Sequence, residues 1–162
     1  MPTAGETTTA TLVLLLVTAS FPFYLYGAWI VLDSAVVTWG VLTRHLRYIG
    51  VGLLLTTVPV VGWMAPRLLE QLDSLAALHA FLGIQAYALL AFALTGIVRI
   101  FQVKRAHDLY HEPAPDLDLS ELHEDMDAWR TRLRVGVFGY VGLWLLAWLV
   151  GVARYLLIYD VA

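Results

Sequence analysis

The sequence predicts an all-α fold: an integral membrane four-helix bundle with one cytoplasmic amphipathic helix between the third and fourth spans. Three observations carry that expectation. Hydrophobic residues make up 60% of the chain against 14% charged, and the mean hydropathy is +0.73, more apolar than a soluble domain can hide from water. The apolar residues gather into four runs, about 10–32, 46–65, 75–101 and 133–159, each close to the roughly 20 residues that a helix needs to cross a bilayer. One long hydrophilic stretch, 102–132, separates the last two runs. The chain, 1–162, reads as a single transmembrane domain.

Met1 to Thr9 is polar, carries Glu6 and has no basic residue. A secretory signal starts with a positive segment, so the first span is expected to remain in place. Pro22 falls inside that span, where its missing N–H and its ring should kink the helix. Tyr24, Tyr26 and Trp29 follow at a depth that suits aromatic rings at a membrane interface.

Arg44, His45 and Arg47 stand at the mouth of the second span, whose interior contains Gly50, Gly52, Thr56, Thr57, Pro59 and Gly62. Small residues let helices approach closely in lipid, so this span is expected to be packed against other helices rather than bathed in lipid. Pro66 is expected to end it. The third span, Leu75 to Phe101, would form a rod of roughly 40 Å. Its ionisable groups, His79 and Arg99, lie near opposite ends.

After Phe101, Pro113 and Pro115 should break the hydrophilic stretch in two. Beyond them Asp118 and Glu121 have capping-box spacing, and Leu119, Leu122, Met126, Trp129 and Leu133 recur at intervals of three and four. That period predicts an amphipathic helix lying on the membrane surface. The fourth span carries Gly136, Gly139, Gly142 and Gly151, with Arg154 near its end, where the side chain can snorkel to the headgroups. Asp160–Ala162 is expected to leave almost no tail.

Four crossings would put Arg44, Arg47, Arg99, Lys104, Arg105, Arg130, Arg132 and Arg134 on one side, and Arg67 and Arg154 on the other. The positive-inside rule makes the first side cytoplasmic and leaves both termini outside, in a multi-pass protein of the cell membrane. TRHLRYIGVG and TRLRVGVFG, entering spans two and four, are similar. Basic residues followed by glycine-spaced apolar ones suffice to explain that likeness wherever a span leaves the cytoplasm.

With no cysteine in the chain, thiol catalysis, thiolate-bound iron–sulfur clusters and disulfides are excluded. No basic patch interleaved with aromatics points to nucleic acid. No serine–histidine–acid array, phosphate loop or zinc signature is visible, so enzymatic catalysis is not expected, and no metal site is assigned. His107 and His111 have the spacing that puts two imidazoles on one helical face, with His45 on the same side. In a polar juxtamembrane stretch such side chains are expected for solvation alone.

His79 is the residue most open to a functional reading, because an ionisable group in an apolar span is costly. Gly83, one turn on, leaves room for a flat macrocycle or a close helix. The run LHAFLGIQAYALLAFALTG resembles the histidine-bearing helices of di-haem transmembrane cytochromes b that are reduced by ascorbate. That resemblance implies haem b held between two histidines at one depth. His45, His107, His111 and His123 all fall on the other side of the membrane from His79, so the second ligand would have to be Met64, or the His79 of a second chain in a homodimer. The competing reading makes His79 a neutral packing residue near a helix end.

FPFYLYGAW, TTVPVVGWMAPR, LHAFLGIQAYALLAFALTGIVRIFQVKR and WRTRLRVGVFGYV together resemble an uncharacterised family of four-span membrane proteins of haloarchaea. Nine of the ten basic residues are arginine, and with the acidic loop this agrees with that resemblance. It implies a setting in respiratory electron transport. The resulting expectation is a small non-catalytic integral membrane subunit or assembly factor of a larger respiratory complex, in contact with the lipid bilayer. The alternative is a haem b electron carrier using His79.

Overall fold

The structure is a computed structural model that describes residues 2–68, 70, 73–112, 114 and 117–159. Among the described residues it is all-helical, with four long helices: α1 (Ala4–Leu32), α2 (Trp39–Leu68), α3 (Ser74–Ala106) and α4 (Met126–Tyr159). All four are long and apolar enough to cross a membrane.

Three of the four helices start at a side-chain cap. Thr3 and Glu6 form a reciprocal capping box at α1, the Glu6 amide donating to the Thr3 hydroxyl and the Thr3 amide to the Glu6 carboxylate. Thr38 caps α2 and Asp73 caps α3, the Asp73 carboxylate accepting the Ala76 amide at 2.6 Å. The end of α3 is equally specific. Asp108 adopts a left-handed φ of 53°. The Leu109 amide then donates to the Lys104 carbonyl and the Asp108 amide to that of Arg105, a Schellman closure with aspartate in the usual glycine place.

Proline governs the second helix. Pro59 has no N–H to give, and directly after it the ladder slips into a π turn over Val60–Met64 before α-helix resumes at Ala65–Leu68. The expected stop at Pro66 does not occur. Pro66 lies in the first turn of the resumed α segment, where a missing N–H is tolerated.

The expected surface helix between the third and fourth apolar runs is also absent as a separate element. Asp118 caps only a short 3-10 turn, Leu119–Leu122, by accepting the Ser120 amide and hydroxyl, bonds that hold its carboxyl below the usual range. The chain is extended at His123, and Met126–Leu133 are simply the first turns of α4. The apolar stripe seen in the sequence is real, but it faces α3. Met126, Trp129, Gly136 and Tyr140 are all buried, with the Trp129 backbone against Gly96 and Gly136 against Ala93 of α3. Pro113 and Pro115, and the tail at 160–162, lie outside the described residues.

The helices associate as two antiparallel pairs, α1 with α2 and α3 with α4. Small residues make the close approaches. A Cβ on Gly96 would meet the Trp129 carbonyl at 2.5 Å, and one on Gly52 would meet the Tyr24 ring at 2.9 Å. The two pairs join through side chains: Phe21 packs on Trp144 and Trp148, Thr11 bonds Tyr155, and Thr57 bonds Tyr87. Large apolar side chains point outward, with Leu25, Phe138 and Leu157 about 70% exposed or more, whereas the buried apolar residues include many alanines. This inverts the ordinary arrangement of a water-soluble fold.

Candidate functional site: a cavity between the helix pairs

Close packing within each pair and looser packing between them leave a cavity where the start of α1, the end of α2, the start of α3 and the end of α4 converge. Its volume is about 320 Å³, at the lower end of the range for small-ligand pockets. Val13 and Val17 of α1, Trp63 and Met64 of α2, Gly83 and Ile84 of α3, and Trp148 of α4 supply much of its apolar wall. The π turn delivers both Trp63 and Met64.

His79 is on this wall, as is Met64. The imidazole rests against α4 at Gly151, where a Cβ would stand 2.9 Å from Cε1 and 3.2 Å from Nε2. Gly151 is therefore what admits the ring. Gly83 also lines the cavity, and a Cβ there would meet nothing within 4 Å.

At the inner end the polar groups satisfy one another. The Thr56 hydroxyl donates to the Gly52 carbonyl at 2.8 Å and lies 2.8 Å from the Tyr24 hydroxyl, which is 3.3 Å from that of Tyr140. Since Thr56 spends its proton on Gly52, Tyr24 donates to Thr56 and Tyr140 to Tyr24, a chain with one direction. Thr57 and Tyr87 form a second hydroxyl pair at 3.0 Å. Such bonds are the ordinary means of joining apolar helices.

At the outer end stand the two arginines that the sequence places on the side opposite the other bases, without indicating that they share a cavity. Arg67 lies over Trp63, its guanidinium carbon 3.3 Å from the ring centroid, and comes within 3.8 Å of Glu6. Arg154 approaches Asp73 at 3.9 Å. Its side chain is only 17% exposed, and its Nε is buried with no hydrogen-bond partner among the described residues. The signal available in the sequence was that these two bases stand apart from all the others.

The remaining histidines are engaged locally. His45 Nδ1 donates across to the Gly27 carbonyl at 2.7 Å, His107 Nδ1 donates to Val103, and His111 pairs with Asp108. His123 accepts the Asp125 amide. Among the described residues no group of three or more histidine or acidic side chains is placed to hold a metal ion.

The model of a protein family described as a domain of unknown function (DUF7321) matches residues 6–160. No curated protein matches the chain, and no solved structure does.

Proposed function

The chain belongs to the family described as a domain of unknown function, DUF7321, and from that premise we propose an integral membrane protein of four crossings that serves as a non-catalytic subunit or assembly factor of a larger membrane complex. In this reading both termini lie outside and 102–132 faces the cytoplasm, following the arginine distribution. One observation carries the packing role. Gly62 and Gly142 are exposed on the apolar surface, and a Cβ on either would meet nothing within 4 Å. Glycine inside a helix costs up to about 1 kcal/mol relative to alanine. On a lipid-facing surface that cost returns nothing unless another helix comes close there. The respiratory setting is supported by the resemblance to haloarchaeal four-span proteins.

The test is co-purification of the tagged protein from native membranes in mild detergent, beside Gly62→Leu and Gly142→Leu. The wild type should migrate with a complex carrying quinol-oxidising or terminal-oxidase activity, and each leucine should weaken that association. A wild type that migrates only as itself overturns the proposal.

A second reading is favoured by the placement of His79 and Met64 on one cavity. An imidazole and a thioether are donors that suit a b-type haem, which when bound would carry single electrons. His79 and Met64 would hold it, and the apolar wall would keep water away. A reduced-minus-oxidised spectrum of protein from haem-replete cells decides the matter. A stoichiometric b-type signal that disappears in His79→Ala supports the carrier, and a colourless folded wild type removes it.

A further inference from the structure

The outer end of the cavity has a chemistry that its apolar wall does not need. Arg67 and Arg154 both line it. Each has five N–H donors, yet among the described residues each makes only one long ion contact, at 3.8 and 3.9 Å, beyond hydrogen-bonding distance. Neither guanidinium donates a hydrogen bond to any described residue, and the Arg154 Nε is buried with no acceptor among those residues. Leaving such a donor unpaired away from water is costly, so an acceptor is expected there. The Arg67 guanidinium is held over the Trp63 ring, a contact that uses its face rather than its N–H donors.

Position identifies the acceptor. Arg67 is in the last turn of α2, Asp73 caps α3, Glu6 is in the first turn of α1, and Arg154 is near the end of α4. If the four helices cross a bilayer, this end lies at the level of the lipid headgroups. The cavity then runs inward from that level to Thr56 and Tyr87, walled by hydrocarbon and partly open to its surroundings. We infer that it is a site for one anionic bilayer lipid, with the headgroup phosphate on Arg67 and Arg154 and an acyl or isoprenoid chain lying past Gly83 and Trp148. Two guanidinium forks match phosphate oxygens in geometry and charge, and Gly83 keeps the path of the chain clear. A lipid there is compatible with the packing role and excludes a haem from the same cavity.

Trp63, Trp144 and Trp148 line the cavity and report on it in a background where Trp29 and Trp39, exposed on the outer surface, are replaced by phenylalanine. The full chain is reconstituted in phosphatidylcholine vesicles containing a fixed minor fraction of lipid with brominated chains, either phosphatidylglycerol or phosphatidylcholine. Bromine quenches tryptophan only at close range. In the wild type the anionic lipid should be preferred on the order of tenfold, the value of one charge-assisted bond. Arg67→Gln with Arg154→Gln should bring the ratio near one, and Arg67→Gln alone should lower it while leaving the buried Arg154 undisturbed. Gly83→Leu puts a side chain into open space, so the helices should form as before while quenching at the cavity is lost. Equal quenching by the two lipids in the wild type would overturn the site. A preference unchanged in the double variant would overturn the arginine assignment, and quenching unchanged in Gly83→Leu would place the chain elsewhere.

Discussion

Gly136 of α4 sits directly against Ala93 of α3: a Cβ on the glycine would lie 2.6 Å from the alanine Cβ, 2.7 Å from the Leu89 carbonyl oxygen and 2.8 Å from the Ala93 amide. Two of those neighbours are backbone and cannot swing aside, so the α3–α4 spacing depends on the missing side chain. Gly136→Ala should therefore destabilise the fold by about 1–3 kcal/mol, as overpacking does in tight cores. Gly142→Ala, on the same helix with open space around it, should stabilise the isolated protein by up to about 1 kcal/mol through helix propensity. Equilibrium unfolding in mixed micelles compares the two. Equal effects would mean that the seam has slack.

Much of the architecture was legible because length and apolarity are enough to specify a long helix. Four apolar runs became four helices. What the sequence hid was which way faces point. Met126, Trp129 and Leu133 have the same spacing whether they meet a membrane surface or a neighbouring helix, and the continuation of that stripe into Gly136 and Tyr140 was the sign that it faces α3. Pro66 looked like a terminator because a slip of the hydrogen-bond ladder after Pro59 leaves no mark in composition. His79 could be singled out as an ionisable group in an apolar run. The meeting of Arg67 and Arg154 at one cavity could not, because it depends on the relative placement of two helix pairs.

The hydroxyl chain from Tyr140 through Tyr24 to Thr56 joins three helices. Removing either member of its shortest bond should cost a similar amount. Tyr24→Phe and Thr56→Val are each expected to destabilise by about 0.5–1.5 kcal/mol. The double variant should cost less than the sum, since both remove the same bond. The coupling in a double-mutant cycle measures it directly, and strict additivity would show that the 2.8 Å contact contributes nothing.

Asp108 is the one described non-glycine residue with positive φ, at 53°. Aspartate tolerates the left-handed region better than most residues, and glycine better still. Its carboxylate also accepts from His111 at 2.7 Å, a pair in which both side chains are more than 60% exposed and which therefore stabilises little. Asp108→Gly should be neutral or stabilising by up to about 1 kcal/mol, while Asp108→Val, a β-branched residue forced to positive φ, should cost about 1–2 kcal/mol. Thermal unfolding of the two variants in detergent checks both signs.

The π turn after Pro59 has a rotational consequence. One extra residue in the ladder turns everything that follows by about 100° relative to an uninterrupted α-helix. Trp63, Met64 and Arg67 face the cavity only because of that turn. Deleting Val61, which is 65% exposed, would remove the extra residue and let an α ladder deliver the same side chains to the same faces. Deleting Leu54, equally exposed at 64% but within regular α-helix, would rotate either Gly52 away from Tyr24 or Thr56 and the cavity residues away from their partners. The first deletion should change stability by no more than about 1 kcal/mol, whereas the second should exceed about 3 kcal/mol, the range of a broken core contact. Equilibrium unfolding in mixed micelles compares the two deletions. If both deletions are equally harmful, the π turn does not set the register of the cavity wall.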